Sequence, residues 1–163
     1  PTLPDFTWRA DGSGNWNDDG NWDQVGNGDE VPNGINHAAV FGDVIQSPQT
    51  VFTNIPVSVS SIEFNNSVSY AIAGHGSVTM VSGTNAVGDV PPEVEVKFGS
   101  HEFQAPFHLG DDTNLEVLSG ATLTFNNALN LNDSTLTKVG EGTPNIRSEE
   151  RRGGKEGRSG GWP

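Results

Sequence analysis

Apolar and polar residues alternate in short runs along the second half of the chain. Apolar residues two positions apart recur as Val94/Val96/Phe98, Leu115/Val117, Leu123/Phe125 and Leu129/Leu131. A period of two places alternate side chains on opposite faces of a strand, and a turn signal such as Gly99-Ser100 or Ser119-Gly120 follows each run. The pattern predicts strands of three to five residues, each with one face in a core.

These runs return at a nearly constant interval. Val94, Leu115 and Leu136 are separated by steps of 21 residues, and Asp112 and Asp133 keep the same step. A repeat of this length is typical of a β-solenoid, in which each repeat stacks on the one before it. In the first half, alternation continues with uneven spacing. Residues 37–146 are therefore predicted to form the coils of a solenoid.

Two segments resemble a known bacterial repeat. They are S-G-A-T-L-T-F (residues 119–125) and L-T-K-V-G-E-G-T (residues 136–143), and they are similar to the autotransporter-associated β-strand repeat of surface and secreted proteins. The resemblance covers residues 94–146. In the first half of the chain it extends only to the general pattern of short alternating runs separated by turns. It implies an all-β, right-handed parallel β-helix used as a stalk or passenger domain, located extracellularly or at the cell surface in association with the outer membrane.

Three of the four tryptophans lie within fifteen positions near the N-terminus, among Gly, Asn and Asp residues. A solenoid leaves the apolar face of its first coil open, and large aromatic side chains can close it. Trp8, Trp16 and Trp22 are therefore predicted to form an irregular cap, with residues 1–36 as cap and linker. The alternative is a ligand-binding platform, in which exposed indoles stack on the sugars of an extracellular glycan.

Composition narrows the classes of function. The chain has 163 residues, enough for one domain, with 21 Gly and 33% hydrophobic residues, which favours turn-rich β structure with almost no helix. The absence of cysteine excludes a disulfide framework and a thiolate metal site. No apolar run is long enough to span a membrane. Residues 1–146 carry 3 basic and 18 acidic residues, a net charge of −15, which disfavours nucleic acid as a partner.

Residues 147–163 differ from the rest of the chain in charge, apolar content and periodicity. They carry five of the eight basic residues. Their sequence, R-S-E-E-R-R-G-G-K-E-G-R-S-G-G-W-P, resembles the translation product of a short-read sequencing adapter. We expect a disordered, non-native tail whose Trp162 does not belong to the cap. A basic interaction tail is the alternative.

Residues suited to catalysis are few. His101 and His108 are predicted to be solvated surface side chains, no two histidines have the spacing of metal ligands, and no G-x-S-x-G turn is present. No catalytic residue is assigned, and the chain is predicted not to be an enzyme.

The 21-residue step suggests one candidate metal site and no other cofactor. If the coils stack in that register, Asp112 and Asp133, with Asp111, form a column of carboxylates that could bind Ca²⁺ weakly. In the alternative, these side chains extend separately into solvent, where salt screens their repulsion. A looser calcium site at Asp11, Asp18 and Asp19 is a further alternative to simple turns.

Taken with the resemblance, these patterns predict a non-enzymatic structural or adhesive segment of a secreted or cell-surface bacterial protein. Its partners would be an extracellular glycan or the surface of a host or neighbouring cell. The open face of the last coil, at residues 129–139, favours end-to-end self-association. The alternative is a carbohydrate-binding or carbohydrate-active β-helix, which would need exposed tryptophans or paired carboxylates in a groove.

Overall fold

The computed structural model describes residues 5–24 and 30–146, so the predicted tail at residues 147–163 lies outside the described residues. The described chain forms strands and one short 3-10 turn, Asp19–Asn21. The prediction of an all-β chain is confirmed. Within these two ranges, no helix has the length and apolar character needed to cross a membrane. The strands are β1 (Asp5–Trp8), β2 (Gly14–Asn15), β3 (Trp22–Gln24), β4 (Ala38–Phe41), β5 (Gln49–Phe52), β6 (Pro56–Val59), β7 (Ser61–Asn65), β8 (Tyr70–Ala73), β9 (Ser77–Met80), β10 (Gly83–Asn85), β11 (Gly88–Val90), β12 (Glu93–Phe98), β13 (Ser100–Phe103), β14 (Phe107–Leu109), β15 (Thr113–Val117), β16 (Thr122–Phe125), β17 (Leu129–Asn130), β18 (Leu136–Val139) and β19 (Thr143–Ile146).

Successive strands lie in three sheets. The first sheet has the order β18-β15-β12-β7-β4-β1-β3, the second β19-β16-β13-β8-β5-β2, and the third β17-β14-β9-β6. All neighbours in these sheets are parallel except β1 and β3. Three strands that follow one another in the chain therefore lie in three different sheets. Four such sets are present among the described strands, and we call each set a triplet: β4–β6, β7–β9, β12–β14 and β15–β17. The antiparallel hairpin β10–β11 lies between the second and third triplets.

Inward-facing side chains of all three sheets form one hydrophobic core. Alternate residues are buried in β7, β12 and β15 of the first sheet, as the two-residue period predicts. Because neighbouring triplets pair in parallel, equivalent aromatic residues lie over one another. Phe41 stacks on Phe64 with ring centroids 5.2 Å apart, and Phe103 stacks on Phe125 at 5.6 Å. The core is continuous from one triplet to the next.

The N-terminal tryptophans close one end of this core. Trp8, Trp16 and Trp22 have exposed fractions of 1%, 0% and 2%. Trp16 Nε1 donates to the carbonyl of Pro32 at 2.9 Å, and Trp22 Nε1 donates to the carbonyl of Trp16 at 2.8 Å. Trp22 lies on β3, the outermost strand of the first sheet. Since β1 and β2 pair in parallel with β4 and β5, strand stacking already begins inside the segment predicted as an irregular cap.

The predicted 21-residue register holds at one step and is wrong at the next. Val94 pairs with Leu115 as predicted. Leu115, however, pairs with Lys138, and Leu136 pairs with Thr113. A shift of two residues keeps the same face of the strand toward the core, so Leu136 is still buried.

The shift arises at two turns, with one extra residue in each. The first lies between β15 and β16, because Ser100 already pairs with Thr122 and Phe107 with Leu129 at a step of 22. The second is the turn before β18, where Asn132 and Asp133 both have positive φ, 50° and 66°. Two left-handed residues in succession are uncommon outside Gly, and Asn and Asp are the residue types that best tolerate them.

Two other positions depart from simple alternation. The pairing of β12 with β7 is irregular between Val96 and Phe98, and Phe98 is 59% exposed although alternation predicted it in the core. A bulge of this kind reverses the direction of the next side chain. At Pro144, where the repeat motif ends, β19 nevertheless continues the second sheet by pairing with β16. Proline is acceptable there because an edge strand has one side without ladder bonds.

Candidate functional site

A row of glutamates lies on the outer face of the first sheet. Glu95 of β12 is directly paired with Glu63 of β7 on one side and with Glu116 of β15 on the other. Glu93 lies two residues before Glu95 and therefore on the same face. We call these four residues the glutamate ladder. The carboxylates of Glu93, Glu95 and Glu116 each offer an oxygen within 4.8 Å of the other two, a spacing that no other group of three potential metal ligands reaches in residues 5–24 and 30–146.

Burial and mutual repulsion raise the pKa of two carboxyls in the glutamate ladder. For both Glu93 and Glu95, partial burial is the largest cause of the raised pKa, and the neighbouring carboxylates add to it. Lys97 lowers the pKa of Glu95 and lies with its Nζ 3.6 Å from Glu63 Oε2. Three converging carboxylates are chemically suited to an oxygen-preferring cation. They are also a source of strain when all are charged.

Replacing the central glutamate should stabilise the protein. We expect Glu95→Gln to raise the free energy of unfolding at pH 7 by about 0.5 kcal/mol, because the side chain keeps its shape and loses its repulsion with Glu63 and Glu116. The raised pKa means that the folded protein binds this proton more readily than the unfolded chain. The stability from this group is therefore present at low pH and lost as pH rises through the raised pKa, so the gain should vanish near about pH 4.

Urea unfolding at both pH values measures this effect, and Glu102→Gln is the matched control. Glu102 lies on the second sheet between Ala71 and Thr124, with no carboxylate on either paired strand at that position. An equal gain in the Glu102 variant, or a gain that persists at low pH, would contradict the role of repulsion in the ladder.

The structure does not assemble the predicted calcium column. Asp112 Oδ1 accepts a hydrogen bond from the backbone N–H of Thr135 at 2.8 Å, and Asp111 Oδ2 accepts one from Ser82 at 2.9 Å. Asp133 lies in the left-handed turn that shifts the register. The three carboxylates therefore do not converge in the described chain, and two of them bond backbone amides of neighbouring turns. Weak binding of Ca²⁺ by Asp111, Asp112 and Asp133 stays a prediction.

The tryptophans are equally unsuited to the predicted glycan platform. A sugar ring stacks on an exposed aromatic face, and the indoles of Trp8, Trp16 and Trp22 have no such face. They pack on one another and on Phe41, with ring centroids 5.2 to 6.3 Å apart. Their geometry agrees with the cap interpretation, and the stacking role is not available in the folded chain.

Clefts on the surface of the described chain include one beside the tryptophan cap and one on the second sheet. One of about 560 Å³ lies beside the tryptophan cap and is lined by polar side chains that include Asp18, Asp19 and His37. Asp18 there accepts from the backbone N–H of Gly20 at 3.0 Å. The other, of about 330 Å³, lies on the second sheet over Tyr70 and His101, both of which are buried. The aromatic rings of the second cleft are thus core residues rather than stacking surfaces.

His101 is buried, and its prediction as a solvated surface residue is wrong. Its exposed fraction is 2%, and its ring stacks on Phe64 with centroids 4.7 Å apart and planes inclined by 15°. Because β13 reads S-H-E-F, His101 shares its face with Phe103, which is also buried. This two-residue spacing was the signal in the sequence that places His101 in the core.

Both ring nitrogens of His101 are used. The backbone N–H of Tyr70 donates to Nδ1 at 3.0 Å, while Nε2 lies 2.8 Å from the carbonyl of Phe98 and 3.0 Å from that of Asn66. A backbone amide can only donate, so Nδ1 must be unprotonated and Nε2 must carry the proton. Burial lowers the pKa of His101, and the two carbonyl contacts oppose this effect. The side chain is a neutral structural group at neutral pH.

Comparison with known proteins identifies no relative. No family model, curated protein or solved structure matches this chain. The resemblance to the autotransporter-associated β-strand repeat therefore stays a sequence-based prediction, and function has to be inferred from the geometry of the described residues.

Proposed function

We propose that this chain is a right-handed parallel β-helix that serves as a non-enzymatic structural or adhesive segment of a secreted or cell-surface bacterial protein. The repeating triplets carry the proposal, since their strands pair in parallel and share one core. In a β-helix each triplet is one coil. The right hand follows from the general rule that about 98% of connections between parallel strands of one sheet are right-handed.

A stack of this kind acts as a spacer. Each coil adds about 4.8 Å, so the length grows in proportion to the number of repeats. Loops and insertions project from the side of the stack, and the hairpin β10–β11 carries Val87, which is 91% exposed. The acidic surface favours solubility. In this role, projecting loops would meet a glycan or a neighbouring cell, while the sheets supply rigidity.

Carbohydrate binding through stacked tryptophans is the weaker candidate. Its main support was the cluster of Trp8, Trp16 and Trp22, and these residues are buried. A glycan would have to bind through the polar clefts or the projecting loops instead.

Two measurements test the proposed function. On intact cells of the bacterium that encodes this chain, an external protease should cleave it, whereas a protein inside the cell would be cleaved only after lysis. Glycans that bind to the protein on a glycan array should leave its tryptophan fluorescence unchanged. Protection from protease on intact cells would contradict the surface location, and a glycan that shifts the fluorescence would favour the carbohydrate-binding alternative.

We also expect end-to-end association. Among the described strands, β17, β18 and β19 each pair on one side only, and Val139 is exposed on β18. Unpaired strand edges pair readily with other chains. Light scattering should show mass increasing with concentration, and Val139→Lys should reduce this more than Val87→Lys on the hairpin. A monomer at every concentration would contradict the expectation.

A further inference from the structure

His101 joins two triplets at the corner between the first and second sheets. Through Nδ1 it accepts the backbone N–H of Tyr70, where β8 begins, and through Nε2 it reaches the carbonyl of Asn66 at the end of β7. Gly99, with φ +84°, forms the turn just before it. One imidazole of the third triplet thus contacts both ends of residues 66–70 of the second, while the side chains of Asn66 and Tyr70 also bond the carbonyl of Gly42.

No charged side chain lies near the ring to stabilise an imidazolium. The influences on the pKa of His101 are burial and two carbonyls, and none is a charged side chain. Tyr70 is the one titratable neighbour in ring contact, and burial raises its pKa to about 12, so it stays neutral. Glu102, the next residue, points to the opposite face of β13. The groups that face the ring are Phe64 from β7, Asn66 from the corner, Tyr70 from β8 and Leu123 from β16.

We propose that His101 is an acid-sensitive latch on this corner, and that proton uptake at Nδ1 releases the backbone amide of Tyr70 at the start of β8. The proton comes from solvent and occupies the lone pair that accepts the Tyr70 amide. Two N–H groups then face each other, so the hydrogen bond is lost, and the buried charge has no carboxylate to pair with. The remaining triplets keep their own ladder bonds, and the opening is therefore local.

The sign of the pH effect follows from the direction of the shift. The pKa is lower in the folded protein than the ordinary value of about 6.5, so the closed corner binds this proton less readily than the open one. The latch holds fully above about pH 6.5 and weakens as pH falls toward the lowered pKa. Within that window, the equilibrium constant for opening of the corner increases by up to about tenfold for each unit by which the pH falls, because one proton is taken up on opening.

Hydrogen exchange of individual amides tests the latch. After correction for intrinsic exchange, the protection of the Tyr70 amide should fall by up to about tenfold per pH unit below about 6.5 in the natural chain. His101→Asn keeps an acceptor near the position of Nδ1 and cannot titrate, so its Tyr70 protection should not change with pH. His75→Asn, at an exposed histidine, is the matched control and should behave like the natural chain. Equal pH dependence in both variants would overturn the proposal.

A second measurement does not depend on the folding of the variant. In ¹⁵N-labelled natural protein, the NMR signals of His101 should report the Nε2–H tautomer at neutral pH and a titration midpoint below the ordinary histidine value of about 6.5. The Tyr70 amide should shift with the same midpoint as His101. An Nδ1–H tautomer, or a midpoint at or above about 6.5, would overturn the latch.

Discussion

Replacement of Trp16 by alanine is expected to lower the free energy of unfolding by about 3–5 kcal/mol. The side chain is fully buried, and its loss leaves a cavity between Trp22 and Phe41. It also leaves the carbonyl of Pro32 without its indole donor. An effect of this size is a large fraction of the stability of a small domain.

Urea unfolding followed by far-ultraviolet circular dichroism measures this loss. Val87→Ala is the control because Val87 is largely exposed on the hairpin, and it should change stability by less than about 0.5 kcal/mol. If Trp16→Ala were as mild as the control, the tryptophans would not be a cap. A variant that folded stably but lost the binding of a glycan would restore the platform interpretation.

The second large effect is expected at a glycine where two turns of the chain touch. A Cβ atom added at Gly99 would lie 2.3 Å from the carbonyl oxygen of Asn66, and Gly99 has φ +84°. Gly120 has nearly the same φ, +86°, but no atom within 4 Å of the added Cβ. Gly99→Ala should therefore cost about 2–5 kcal/mol, and Gly120→Ala only the backbone cost of about 1–2 kcal/mol.

Thermal and urea unfolding of the two variants separate backbone strain from close packing. Since both glycines have nearly the same φ, the difference between them reports the close contacts of Gly99 with Asn66, Ser67 and His101. Equal destabilisation would mean that these corners do not stack as described.

The positions of several strands could be predicted from the sequence because their apolar residues lie two apart and are buried on one face. Val94 and Val96, for example, are two apart and both buried, and the same holds for Leu115 and Val117. Their pairing across strands also followed from the 21-residue step. A repeated interval of this kind predicts register wherever the intervening turns keep a constant length.

Longer-range relations were not predictable because they depend on turn length and on insertions. Glu63 and Glu95 pair directly although 32 positions separate them, because the hairpin β10–β11 is inserted between their triplets. Glu95 and Glu116, which also pair, are only 21 apart. The glutamate ladder therefore has no constant period in the sequence. The aspartate column is not formed for the related reason that the turn before β16 and the turn at Asn132 and Asp133 each move the register by one residue.

Distances between spin labels test the central claim, the parallel stacking of coils, most directly. The chain has no cysteine, so pairs can be introduced without background. Thr7, Val40, Glu63, Glu95, Glu116 and Val139 form one row across the first sheet. With a strand spacing of about 4.8 Å, the Cα atoms of Thr7 and Val139 should be about 24 Å apart, and those of Thr7 and Glu63 about 10 Å. Double electron–electron resonance measures the distance between labels at Thr7→Cys and Val139→Cys, and continuous-wave line broadening measures the shorter distance between labels at Thr7→Cys and Glu63→Cys. The distance should increase with the number of strands between the two labels. A Thr7 to Val139 distance no longer than the Thr7 to Glu63 distance would contradict the stack.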